Sequence, residues 1–339
     1  MTVDRTVLQE RLINIVKRFP QRRIVVVGDS IADQFILGAI SRVSREAPVF
    51  ILRHENTETV PGGAANCAVN LASLGASVSL ISACGEDEPG RALIHKLRAA
   101  GVDTDGVLAS DKLKTTTKVR ILAGHLHSTR QQVIRIDYEG EPLKDHALHE
   151  RLRARVLEEA QAADALVISD YGYGVADAEM ASFLREAARP RRIPVLADSR
   201  FSLSNFTEFT SATPNEDEVE KLLGKQFSNS GDLESASEEL RKRLGYRALL
   251  VTRGGQGMLL LEDGGAALHI DAVGGREPVD VTGAGDTVIA AYTLALASDS
   301  SFPDAARLAN YAGGLVVMKR GTASVTGDEL SNAVLHSEL

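Results

Sequence analysis

Arg23-Ile24-Val25-Val26-Val27-Gly28 is an unbroken, mostly β-branched run that stops at a glycine. A strand with one face in water alternates apolar and polar residues. A continuous apolar run therefore belongs to a strand covered on both faces, as in a parallel sheet. Similar short runs occur at 78–82, 165–169, 194–197 and 248–252. Helical patterns lie between most of them, at 64–74, 90–100, 145–162, 177–188 and 233–244, and an amphipathic pattern on Leu8, Leu12, Ile15, Val16 and Phe19 precedes the first strand. Strands alternating with helices build βαβ units. The expected fold is α/β, with a mostly parallel central sheet flanked by helices on both faces.

Two stretches break this rhythm. Residues 38–60 read as extended with no helix, and 112–138 contains alternating polar and apolar residues around an irregular Gly124-His125-Leu126-His127-Ser128-Thr129. Antiparallel strands and a hairpin are expected there, pairing into a small β-sheet lid. His125 and His127 read as a solvated hairpin tip rather than a metal pair, because no acidic residue or cysteine stands near them. No Pro-, Gly- or Ser-rich linker divides residues 1–339, and no repeat is visible. One domain with two lid insertions is expected.

The chain has 339 residues and a net charge of −8. That balance disfavours nucleic acid and anionic membrane surfaces as partners, yet is compatible with a locally basic site for a phosphorylated ligand. Tryptophan is absent and aromatics are scarce, so a stacking platform for single strands is disfavoured. Cys67 and Cys84 sit in apolar surroundings with no metal spacing and read as buried free thiols. No apolar run approaches the ~18 residues of a membrane span, and the charged N-terminus lacks a signal-peptide core. A cytoplasmic protein is expected.

The strongest chemical signal is Asp280-Val281-Thr282-Gly283-Ala284-Gly285-Asp286, which runs directly into the apolar run 288–297. A glycine-rich turn at a helix start aims the N–H groups of Gly283, Ala284 and Gly285 outward and makes an anion site. Asp286 has two readings: a cap of the helix, or a carboxylate that takes the proton of a hydroxyl attacking the bound anion. Pro61-Gly62-Gly63-Ala64-Ala65-Asn66 also opens a helix. Gly62 and Gly63 let a ligand approach the main chain and Asn66 bonds hydroxyls, or the segment is a plain turn. Gly28-Asp29-Ser30-Ile31-Ala32-Asp33 follows the first strand, at the carboxyl edge where α/β sheets bind ligands. Asp29 and Asp33 suit a polyhydroxylated ligand, with a solvated loop charge the other reading of Asp33.

Asn215 and Glu218 stand three apart at a helix start. Either they form a capping box or they present one face to a water-mediated Mg²⁺. Thr252, Arg253, Gly254 and Gly257 follow a strand, as a nucleotide-binding turn or a tight hairpin. No G-x-x-x-x-G-K-[ST] exists, and no G-x-G-x-x-G follows a strand. A P-loop kinase and a nicotinamide-dependent oxidoreductase are therefore disfavoured.

Together these motifs resemble the ribokinase-like carbohydrate kinases, the PfkB family, from about residue 20 to 330. Gly62 to Asn66 is similar to the first family signature, Asp280 to Ala291 to the second, and Asn215-x-x-Glu218 to the Mg-linked motif. The segments Ser41 to Val49, Thr117 to Arg120, Gln131 to Asp137 and Lys319 to Thr322 most resemble the subgroup that phosphorylates O1 of D-glycero-β-D-manno-heptose 7-phosphate for the lipopolysaccharide core. Bifunctional members of that subgroup carry a nucleotidyltransferase domain after the kinase, and this sequence is expected to hold the kinase half. The subgroup usually has Asp-Tyr-x-Lys-Gly where this chain has Tyr173, and Asp-Pro-Lys where it has Asp198-Ser199-Arg200.

The resemblance implies in-line transfer from ATP with Asp286 as base and Gly283 to Asp286 holding the transferred phosphoryl group. It implies an acceptor beside Asp33, Gly62, Gly63 and Asn66. Asn310 is placed near adenine, and Arg42 and Arg120 are placed as phosphate contacts on the lid. It also implies Mg²⁺, a monovalent cation (K⁺) beside Asp280 and Gly321, and a homodimer through the lid. Another sugar or nucleoside kinase, or a binding protein without catalysis, is the competing expectation.

Overall fold

The computed structural model describes residues 5–124, 130–227, 229–275 and 277–336. The chain begins with α1 (Arg5–Val16), β1 (Arg23–Gly28), β2 (Ser30–Val43), β3 (Phe50–Gly63), α2 (Ala64–Ser73), β4 (Ser77–Gly85) and α3 (Glu88–Ala99). It continues through β5 (Val107–Ser110), β6 (Thr117–Gly124), β7 (Gln131–Tyr138), α4 (His146–Ala160), β8 (Ala165–Asp170), α5 (Ala178–Ala188) and β9 (Val195–Ser199). Next come β10 (Ser211–Ala212), α6 (Glu216–Leu223), α7 (Ser230–Leu244), β11 (Ala248–Thr252), β12 (Met258–Glu262) and β13 (Leu268–Ile270). Helices α8 (Ala284–Ala297), α9 (Phe302–Val316) and α10 (Gly327–His336) close it.

The central sheet has the order β10-β9-β8-β1-β4-β5, and its pairings are parallel. β1 explains its own sequence. Ile24 and Val26 enter a core shared with α2, α8 and α9, whereas Val25 and Val27 enter a second core shared with α4, α5 and α7. Burial on both faces removes any reason for alternation, and each such side chain contributes about 1.5–3 kcal/mol of transfer free energy. Helix starts follow local chemistry: Asp87, Asp145, Asp177 and Ser301 each accept a first-turn N–H, so few amides are orphaned. Cys67 and Cys84 are buried free thiols. No helix among the described residues is long and apolar enough to cross a membrane.

The structure departs from the sequence reading at three places. The lid is a four-stranded sheet of order β3-β2-β6-β7, and it starts at Ser30, not at residue 38. Ser30 to Asp33 are extended because Ala32 and Asp33 pair with Thr117 and Lys118. That β2–β6 pairing is parallel; only β2–β3 and β6–β7 are antiparallel. The run 248–252 belongs to a separate antiparallel sheet, β11-β12-β13, and touches the central one through Asn215–Thr252 bridging. Helices α9 and α10 were not anticipated, since Gly313 and Gly314 interrupt the pattern of the first. The tip carrying His125 and His127 lies outside the described residues.

Candidate active site

A cavity of about 540 Å³ lies where the carboxyl ends of β8 and β9 meet the lid and the start of α8. Asp286 forms its floor. The N-cap of α8 is Gly283, with φ 76° and no side-chain cap bond, so the capping reading of Asp286 does not hold. Its carboxylate instead accepts from Asn66 Nδ2 at 2.6 Å and from the Tyr171 hydroxyl at 3.0 Å. Burial pushes the Asp286 carboxyl from 3.8 up to about 6, against the lowering effect of those two bonds; Asp33 raises it and Arg200 lowers it. A carboxylate poised there is ionised at neutral pH and still basic enough to take a proton.

Asn66 is held by a relay. Thr287 Oγ1 donates to Asn70 Oδ1 at 2.7 Å, and Asn70 Nδ2 donates to Asn66 Oδ1 at 3.2 Å. The relay assigns the amide orientation that aims Nδ2 at Asp286. Each end of Asn66 thus has one protein partner, and the residue still lines the cavity. The glycine turn changes in one respect as well: Ala284 N–H donates to Val281 O at 3.2 Å. Gly285 and Asp286 are the remaining first-turn amides without an intrahelical acceptor by position.

Asp33 lies on β2, buried, and pairs with Arg120 on the neighbouring β6. It is a strand residue aimed into the cavity, not a loop charge. Gly62 sits beside it: a Cβ there would come within 2.5 Å of Asp33 Oδ2. Lys118, Arg120 and Arg135 of the lid and Arg200 beyond β9 form a basic wall of the cavity, with Arg120 paired to Asp33 and Arg135 to Asp137. Tyr173 is not part of that wall; its hydroxyl donates to Glu139 at 2.5 Å, and Lys118 Nζ lies 5.9 Å from its ring centre.

Acidic residues line the same cavity. Asp198, at the end of β9, has its carboxyl pushed well up by burial and by Asp286 and Glu218, with Arg200 opposing. Burial also raises Glu218. Asn215 and Glu218 do form a capping box, with Asn215 N–H to Glu218 Oε2 at 2.9 Å and Glu218 N–H to Asn215 Oδ1 at 2.8 Å. They also line the cavity. These all-oxygen donors suit Mg²⁺. Among the described residues no three His, Cys, Asp or Glu side chains converge into a closed cage. An ion here would keep waters and substrate phosphate oxygens as ligands, as Mg²⁺ prefers.

Several expected residues lie elsewhere. Asp29 is buried outside this cavity, where its carboxylate accepts three backbone N–H groups. Arg42 is exposed on the far half of β2. Thr252 lines the cavity, whereas Arg253 pairs with Glu216 at 3.1 Å and Gly254 to Gln256 form the turn joining antiparallel β11 and β12. That is the hairpin alternative, standing at the cavity's edge. Asn310 is buried and donates to Asp271 O at 2.7 Å. Asp280 accepts from Thr282 N–H at 2.9 Å and Gly321 N–H at 3.0 Å. Sequence reading missed Tyr171, Asp198, Lys118 and Arg135. The first two stand at the ends of β8 and β9, so the carboxyl-edge rule that singled out Asp33 reaches them too.

A model of the pfkB family carbohydrate kinases matches residues 21–328. The chain is 42% identical over 325 residues to the bifunctional protein HldE of Pseudomonas aeruginosa strain LESB58, covering 94% of this chain and 64% of that protein. It is 41% identical to the bifunctional protein HldE of Hahella chejuensis over 321 residues, 93% of this chain and 64% of that one. The chain thus spans 64% of the length of these relatives. Among solved structures it superposes on Escherichia coli phosphofructokinase-2 in complex with substrates and products, with TM-score 0.76, 21% identity and coverage of 93% of this chain and 99% of that one. It also superposes on Arabidopsis thaliana ribokinase complexed with ribose and ATP, with TM-score 0.71, 20% identity and coverage of 93% and 99%. The fold is ribokinase-like.

Proposed function

Because the chain belongs to the pfkB family of carbohydrate kinases, and is therefore a phosphotransferase that uses ATP, we propose that it phosphorylates a sugar phosphate, with O1 of D-glycero-β-D-manno-heptose 7-phosphate as the acceptor hydroxyl. One observation carries the reading: Asp286 is buried on the cavity floor, held by Asn66 and Tyr171, beside the first-turn amides of α8. Asp286 takes the proton of the attacking hydroxyl. The amides of Gly283, Gly285 and Asp286 face the charge that builds on the transferred phosphoryl group, at a helix N-terminus that favours it. Mg²⁺ supplies neutralisation of the ATP phosphates. Asn215 and Glu218 would hold it through water, with Asp198 adjoining.

The basic wall supports a phosphorylated acceptor. Arg120 and Arg135 pair with Asp33 and Asp137, and the further cations Lys118 and Arg200 on the same cavity suit a phosphate dianion rather than a neutral sugar. The heptose assignment draws on the lid segments at 41–49, 117–120 and 131–137 and on the 42% identity to HldE. Exposed apolar residues along the lid, Phe50 on edge strand β3 and Val133, Ile134 and Ile136 on edge strand β7, support a homodimer through that sheet, since open edges recruit a second chain. Asp280, beside Gly321, completes the proposal as the place of a monovalent cation.

Two measurements test these assignments. With ATP and a panel of acceptors scored by ADP release, heptose 7-phosphate is expected to exceed unphosphorylated heptose by at least about 100-fold in kcat/KM, as befits loss of a charge-assisted phosphate site. Turnover of ribose or fructose with none of heptose 7-phosphate would remove the assignment. Separately, Glu218→Gln is expected to raise the Mg²⁺ concentration at half-maximal rate several-fold with little change in stability, because a glutamine at this position also completes a capping box. An unchanged Mg²⁺ dependence would assign Glu218 to the capping box alone.

A further inference from the structure

Both hydrogen-bond donors of Asp286 stand on segments fastened by one residue. Asn66 is in the first turn of α2, whose opening N–H, that of Ala64, donates to the Asp29 carbonyl at 3.0 Å. Tyr171 is in the loop after β8. That loop turns three N–H groups onto the Asp29 carboxylate: Tyr171 at 2.9 Å, Tyr173 at 3.0 Å and Val175 at 2.9 Å. The Asp29 N–H donates to Ser169 O at 3.1 Å, at the end of β8 itself. Asp29 is only 1% exposed and outside the substrate cavity.

We propose that Asp29 is a positioning residue for phosphoryl transfer, which sets Asn66 and Tyr171 at the distances that orient the Asp286 carboxylate. It touches neither substrate nor reacting atoms. The proposal rests on Asp286 being the base. Burial pushes the Asp29 carboxyl up to about 6 despite its three N–H bonds, and the neighbouring charge, Asp170, has the same sign. An ionised group with a raised pKa opposes folding as pH rises through 6. What the carboxylate offers is two oxygens and enough lone pairs to gather three converging amides into one geometry. The groups that bear on Asp286 itself are Asp33 from β2, Asp198 from β9, Arg200 beyond it, Tyr171, and Cys67 from α2.

The test compares Asp29→Asn, Tyr171→Phe, the double variant and Asp286→Asn, using kcat, both KM values and the pH profile of kcat/KM. Asp29→Asn is expected to lower kcat roughly ten- to a hundred-fold, the cost of about 1 Å of misplacement, with KM values near those of the parent. The acidic limb is expected to move to higher pH by about one unit, because a lost hydrogen bond to the ionised carboxylate is worth about that much. Tyr171→Phe is expected to move the limb in the same direction, and the double variant to be no worse than the worse single one. An unmoved limb in Asp29→Asn, or additive losses in the double variant, would leave Asp29 a structural residue only. Should Asp29→Asn not fold, Asp29→Ser is read in its place. Tyr171→Phe deletes only a hydroxyl and is read in either case, and an unmoved limb there overturns the proposal by itself. Full activity in Asp286→Asn would instead sink the assignment of the base, a separate failure.

Discussion

Asp286→Asn is expected to lower kcat by about 10²–10⁴-fold, the usual contribution of a general base, with a much smaller effect on the thermal midpoint at pH 7. The side chain keeps its shape and one oxygen still accepts from Tyr171, while its new NH₂ meets the fixed Nδ2 donor of Asn66, a buried mismatch that offsets the gain from removing a buried charge. What is lost is the ability to take a proton. The stability half of the prediction follows from the raised pKa. The Asp286 carboxyl titrates near 6 when folded and near 3.8 when unfolded, so the folded chain binds the proton more tightly. That preference favours the folded state fully below pH 3.8 and is lost as pH rises through 6. At pH 7 the ionised, buried carboxylate is a net cost that a neutral amide lacks. In the parent enzyme kcat/KM is expected to rise with pH through about 6, as the base loses its proton, and to level off above. A flat profile from pH 5 to 8, or a variant within tenfold of the parent, would remove Asp286 from the chemistry.

Gly283→Ala is expected to be nearly as damaging to turnover, by about 100-fold, through geometry alone. Gly283 has φ 76°, a left-handed conformation that costs a non-glycine residue roughly 1–2 kcal/mol. The added Cβ would also lie 2.6 Å from Asn66 Nδ2, the atom that donates to Asp286. Asn66 cannot retreat freely, because the relay from Thr287 through Asn70 fixes its other end. The methyl group therefore displaces either the α8 turn that presents the anion-binding amides or the donor that orients the base, and a displacement of about 1 Å has that catalytic consequence. The check is kcat and the thermal midpoint measured together. A large fall in kcat with a fall of only a few degrees fits. Unaltered kcat would show that the turn does not face the transferred group.

These variants mark where sequence reading was sufficient and where it was not. The parallel sheet was legible because burial on both faces erases alternation, as Val25 and Val26 show by entering opposite cores. The glycine turn before α8 was legible because a left-handed residue at a helix start leaves a local signature. The lid was legible as strands, but its parallel β2–β6 seam was not, since alternation reports a face and not a partner. Strand 248–252 was assigned to the wrong sheet for the same reason: an apolar run reports burial, not which neighbour supplies it.

Asp29 and Asp33 set the contrast most sharply. They share one short motif, and residue type alone gave both the same role. Asp33 faces the cavity because β2 pairs with β6 and carries it beside Arg120. Asp29 faces inward because the loop after β8, far along the chain, turns its amides toward it. Asn215 and Glu218 show the opposite outcome: the capping box forms, and the same two residues line the cavity, so the cap does not exclude the Mg²⁺ role proposed for them.

What the sequence determined by itself is the α/β architecture, which follows from periodicity, the glycine turn that carries Asp286, which follows from a few adjacent residues, and the family, which follows from the resemblance of motifs spread along the chain. Only the tertiary structure removed the capping reading of Asp286, showed that Asn66 and Tyr171 hold its carboxylate, and put its pKa near 6. The physical reason is that hydrogen-bond partners and desolvation are properties of the space around a group. That space is filled by segments 220 and 115 residues away along the chain.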